Sequence, residues 1–211
     1  MTASEFRIDD ALIAKVTDYV RVYMSNYDGS HDFNHIQRVV HLARLIQASE
    51  PTTSLEIVTL AALLHDVGDK KYLKAGEDSS RLVFTLLTSL GVPVPIAEKI
   101  QTICLGVSYS SEVKDPARVV ALIAEHRELA VVQDADRLDA IGAVGIGRTF
   151  AFGGARNRTL DDTIDHFSDK LVKLEGMMKT DLGRQMARER THRIQQMQEW
   201  WRLETEGIPS L

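Results

Sequence analysis

The chain has 211 residues, 44% of them hydrophobic, and a net charge of -5 at neutral pH. That length suits one domain with a substantial core, and the acidic balance argues against a general nucleic-acid-binding surface. The single cysteine, Cys104, excludes an intramolecular disulfide and a thiolate-rich zinc site, and its apolar setting reads as core packing.

Hydrophobic periodicity is helical nearly throughout, which predicts an all-α fold. A first helix is expected from Asp10 to Asn26, broken by Tyr27-Asp28-Gly29-Ser30. Asp32 caps a second helix reaching about Ser49, and Ser54 opens a very apolar third from Leu55 to Asp66 that stops at Gly68. Glu77 to Leu90 and Ile96 to Val107 follow, then a polar loop from Ser108 to Pro116. Ala117 to about Phe150 reads as one long helix or two stacked ones, with Gly142, Gly145 and Gly147 serving close helix packing. Phe152 to Arg158 reads as a loop whose Arg156 and Arg158 could close over a ligand. Helices from about Asp161 to Met178 and Leu182 to Glu206 finish the chain. No signal peptide is visible, and the most apolar segment, Ile57 to Leu64, is too short to span a bilayer. A cytoplasmic protein with no membrane partner is expected.

Several polar side chains fall on apolar helical stripes. His35 is followed at helical spacing by Val39, Leu42 and Ile46, Val58 and Ala61 precede His65-Asp66, and Val132 and Ala140 bracket Asp136. A buried imidazole or carboxylate persists only where something compensates its lost hydration. Asp66, in the last turn of its helix, also faces the negative end of the helix dipole. Three such anomalies are most simply explained together, by one divalent cation bound through His35, His65, Asp66 and Asp136. The His31-Asp32 pair has no apolar flank and is assigned no metal role.

With these residues in place, the chain resembles the HD-domain metal-dependent phosphohydrolases, whose signature is a histidine, a His-Asp doublet and a distant aspartate. The matching segments are His35-Ile36-Gln37-Arg38-Val39, His65-Asp66 and Ala135-Asp136-Arg137-Leu138. Asp134 to Phe150 and His166-Phe167 through Lys170-Leu171 to Met178 look like the small single-domain members, whose best-understood relatives hydrolyse nucleoside triphosphates. The resemblance implies one HD-type domain over residues 1–211, with a metal-binding core of about 10–150 and C-terminal helices of about 161–206 packed on it. Where family members with more ions carry extra histidines, this chain reads Leu105-Gly106-Val107-Ser108, so one ion is expected. Imidazole and carboxylate donors favour Mn²⁺ and leave Mg²⁺, Ni²⁺, Fe²⁺ and Zn²⁺ open.

Asp69 and Lys70 are the expected catalytic residues. Asp69 lies just beyond the helix end on the metal's open side, and the guanosine-tetraphosphate hydrolase branch carries an acid at the matching place. Arg38, Lys70, Lys71 and Lys170 are the expected phosphate-binding cations, with Lys74 one helical turn past Lys70. The resulting expectation is hydrolysis of a small-molecule nucleotide, a (deoxy)nucleoside triphosphate above others. A nucleoside monophosphate phosphatase and a non-catalytic nucleotide-binding module remain open, as does a homodimer.

Overall fold

A computed structural model describes residues 6–25, 32–69 and 78–207, apart from the side chain of Asp169. All regular structure among them is helical, so the fold is all-α. In chain order the helices are α1 (Asp10–Tyr23), α2 (Phe33–Gln47), α3 (Leu55–Leu64), α4 (Leu82–Ser89), α5 (Val94–Gly106) and α6 (Tyr109–Lys114). Then come α7 (Pro116–Glu125), α8 (Glu128–Asp139), α9 (Gly142–Ala155), α10 (Leu160–Asp169), a 3₁₀ helix (Leu171–Met177) and α11 (Asp181–Thr205).

Local chemistry sets the first boundaries. The Asp9, Asp32 and Ser54 side chains accept from the backbone N–H groups of Leu12, His35 and Ile57, at 2.8, 3.0 and 3.2 Å. Each satisfies an N–H that the helix leaves open, for about 1 kcal/mol. Helix α3 is apolar on every side, with each residue from Ile57 to Leu64 buried. Such a helix is stable only as a central strut, and α1, α2, α5 and α8 pack around it. Helix α8 is almost as deeply buried, and α2 lies against both α3 and α8. The three helices carrying the polar anomalies are therefore mutual neighbours.

Several segments differ from expectation. The fourth helix starts at Leu82 because Asp78 binds the Ser80 N–H and hydroxyl at 2.9 and 2.7 Å, holding a turn in competition with the helix. The expected loop from Ser108 to Pro116 contains α6, capped by Ser108. The stretch from Ala117 to Phe150 is three helices, broken at His126-Arg127 and at Gly142, whose φ of 74° favours glycine. Gly153 and Gly154 belong to α9, and Gly153 is buried against Thr163 of α10, where a Cβ would collide. Arg156 and Arg158 stack over the Phe152 ring at 4.9 and 5.6 Å. After α10 the chain tightens into a 3₁₀ helix, burying Leu171 and Leu174 at its three-residue repeat.

Two polar clusters fasten the C-terminal helices. The fully buried Asp134 accepts from Lys179 N at 2.8 Å and from Thr180 N and Oγ1 at 2.8 and 2.7 Å, at the start of α11. Glu112 of α6 accepts from Arg137 of α8 and from Lys179 Nζ, the latter at 2.8 Å. Arg137 and Lys179 also donate to the Met177 carbonyl.

Candidate metal centre

Helix α3 ends at Leu64. His65 keeps right-handed helical dihedrals as its C-cap, and the chain turns through Gly68, whose φ is 86°. That turn lets the adjacent His65 and Asp66 face one point, although consecutive helical residues diverge by about 100°. His35 enters from the first turn of α2 and Asp136 from the last turn of α8.

The four side chains meet. His35 Nε2 lies 3.3 Å from His65 Nε2, 3.4 Å from Asp66 Oδ2 and 3.5 Å from Asp136 Oδ1. His65 Nε2 lies 3.4 Å from Asp66 Oδ1 and 3.7 Å from Asp136 Oδ1. Donor atoms of His35, His65 and Asp66 lie within 4.8 Å of one another, a spacing one ion can span. Both histidine side chains are 1% exposed, whereas Asp136 keeps 30%, so the cluster opens to solvent on its carboxylate side.

The outer ring nitrogens define what the inner ones present. His65 Nδ1 is 2.8 Å from the Ala62 carbonyl, which can only accept, so that nitrogen carries a proton. His35 Nδ1 is 2.8 Å from Asp139 Oδ2. Burial works against ionising Asp139, but its bonds to His35 and Arg38 and the Arg148 charge outweigh this and hold it at about 2. The carboxylate therefore accepts and His35 Nδ1 donates. With Nδ1 engaged on each ring, Nε2 is the nitrogen left to face the other histidine and the two carboxylates.

Such a cluster demands positive charge. Burial lowers the basicity of His65, yet the Asp66 charge and the hydrogen bond and charge of Asp136 raise it to about 9. Asp136 moves the opposite way: burial would raise it, and the histidines bring it well below the usual carboxylate range.

The other expected site residues divide. Asp69 follows the Gly68 turn, partly buried, its N–H bonded to the Asp66 carbonyl at 3.2 Å. Lys70, Lys71 and Lys74 lie outside the described residues, as does His31. The Lys170 ammonium sits 4.7 Å from the centre of the Tyr109 ring. Arg38 grips Asp139 through Nε at 2.7 Å and Nη2 at 3.0 Å. Neither Asp139 nor Arg148, whose Nη1 reaches Asp139 at 3.0 Å, is among the residues expected from the sequence. The three-residue spacing from Asp136 was the available signal for Asp139; nothing local marks Arg148.

Comparison with known proteins gives the family. The HD domain family profile matches residues 32–141. The Bacillus subtilis (strain 168) protein YpgQ is 36% identical over 180 residues, 83% of this chain and 85% of its own. The crystal structure of B. subtilis YpgQ in complex with ADP matches with a TM-score of 0.77 at 35% identity, covering 93% of this chain and 100% of that one. A Lactobacillus plantarum structure matches at 0.81 and 27%, covering 94% and 98%. An HD-superfamily hydrolase from Bacillus thuringiensis matches at 0.71 and 30%, covering 92% and 97%.

Proposed function

Because the chain belongs to the HD-domain family, we propose that it is a metal-dependent phosphohydrolase acting on nucleotides, with (deoxy)nucleoside triphosphates as its substrate class. One observation carries the reading: the Nε2 atoms of two histidines and the oxygens of two carboxylates converge, at pair distances of 3.3–3.7 Å, with each outer ring nitrogen already engaged. Nitrogen and oxygen donors without thiolate fit a divalent ion, Mn²⁺ above Mg²⁺ because Mg²⁺ prefers oxygen.

His35, His65, Asp66 and Asp136 would hold the ion. When bound, it would supply Lewis acidity toward a phosphoryl oxygen and lower the pKa of water. The remaining work falls to this chain's side chains. Substrate would approach from the carboxylate side, where Asp136 keeps an exposed edge. Asp69, just past the turn after His65 and Asp66, would take the proton of the attacking water. Lys170, between α10 and the 3₁₀ helix, would add positive charge toward phosphate oxygens. That the relative YpgQ has been solved with ADP supports a nucleotide as ligand.

The test is a panel of nucleoside mono-, di- and triphosphates offered to metal-depleted protein with and without Mn²⁺. Turnover of triphosphates that requires the ion and disappears in Asp66→Ala supports the proposal. Absence of turnover across the panel with every divalent ion, or full metal-dependent activity in Asp66→Ala, overturns it.

A further inference from the structure

Asp139 is a carboxylate with only 2% of its side chain exposed, in the last turn of α8, where the helix dipole disfavours negative charge. It is compensated by donors alone. Oδ1 accepts from Arg38 Nε at 2.7 Å. Oδ2 accepts from His35 Nδ1 at 2.8 Å and from Arg38 Nη2 and Arg148 Nη1, each at 3.0 Å. The Arg38 guanidinium therefore commits the edge formed by Nε and Nη2 inward, although its side chain is 35% exposed and lies one turn from His35.

From this geometry we propose that Asp139 is a positioning residue for His35, and that Arg38 and Arg148 act through it instead of binding substrate phosphate. The inference rests on the reading of His35 as a metal ligand. A histidine that gives Nε2 to an ion needs Nδ1 held as a donor, and a carboxylate behind it fixes both the tautomer and the ring angle. Two guanidiniums keep that carboxylate charged and stop it rotating. Asparagine at this position cannot reproduce the arrangement, because its amide offers a single acceptor oxygen to four donors on two sides.

The test is direct titration with Co²⁺, read by its visible absorption, on wild type, Asp139→Asn and Arg38→Gln, with far-UV circular dichroism confirming fold. Arg38→Gln alters a partly exposed side chain and carries the test if Asp139→Asn does not fold. Both variants are expected to bind Co²⁺ about 10- to 100-fold more weakly with an altered absorption band, and Arg38→Lys to recover part of the loss. ADP affinity at saturating Co²⁺ is expected to stay within about twofold of wild type in Arg38→Gln, since no phosphate contact is lost. Wild-type Co²⁺ affinity and spectrum in the variants overturn the inference while leaving the metal reading intact. So does an Arg38→Gln variant that loses ADP binding and keeps its Co²⁺ affinity. Failure of the wild type to bind Co²⁺ or any other divalent ion removes the metal reading, and this inference with it.

Discussion

His35 Nε2 and His65 Nε2 stand 3.3 Å apart, each ring turned so that its other nitrogen meets an acceptor outside the cluster. Two ring nitrogens at that separation, flanked by Asp66 and Asp136, call for positive charge among them, supplied by a proton or by a metal ion. This relationship gives the candidate site both its chemistry and its first consequence.

A divalent ion bound there stabilises the folded state by mass action. At a hundred times its dissociation constant, Mn²⁺ should add roughly 2.7 kcal/mol, which for a chain of this size raises the melting temperature by about 5–10 °C. Differential scanning calorimetry with and without the ion, and with chelator, measures this. His65→Ala should show no such rise; an unmoved wild-type transition across several divalent ions contradicts the site.

Acid stability should depend on Glu112. Burial alone would raise its pKa, but bonds to Lys179 and Arg137 and their charges hold it below the ordinary glutamate value of 4.5. A lowered folded pKa means that stability is fully present above the unfolded value and is lost as pH falls through the folded one. Lys179 is also held below its ordinary value, burial and the Arg137 charge outweighing its bond to Glu112. The acid limb belongs to Glu112, the carboxylate of the cluster. Removing one partner from this cluster should cost on the order of 3 kcal/mol at neutral pH. Urea unfolding of Glu112→Gln and wild type from pH 7 to pH 3 should show that difference shrinking as pH drops below the carboxylate range; a constant difference would refute the assignment.

Two glycines of α9 should respond oppositely to alanine. At Gly145 a Cβ would run into the Ala140 carbonyl, which is backbone and cannot move aside. Gly145→Ala should lose about 1–3 kcal/mol. At Gly147 a Cβ meets nothing within 4 Å, so Gly147→Ala should gain about 0.5–1 kcal/mol from helix propensity. Denaturant titrations of the two variants test the pair, and equal signs would contradict the packing described.

Cys104 should be silent. Its sulfur is buried 3.7 Å from the Ala61 carbonyl, and burial first, then the Asp66 charge, push the thiol well above its usual range. Native protein at neutral pH should leave an aromatic disulfide reagent unreacted, and denatured protein should consume one equivalent. Rapid reaction of the native form would mean that the contact between α3 and α5 opens readily.

Amino-acid order alone determined the all-α class, most helix starts, and which polar groups sit on apolar faces. These follow from local chemistry: a capping oxygen acts three residues away, and a 3.6-residue repeat marks the buried stripe. The early ends were harder to read, because the Asp78 turn and the Gly142 break compete with helical patterns only slightly weaker than those that win. Tertiary structure alone decided that the inner nitrogens of His35 and His65 would face each other, that Arg38 would turn inward to Asp139, and that Glu112 would meet Arg137 and Lys179. The partners of Asp139 include residues 101 and 104 positions away in the chain. No local pattern encodes such a pairing, because its energy exists only once packing has removed water from both ends.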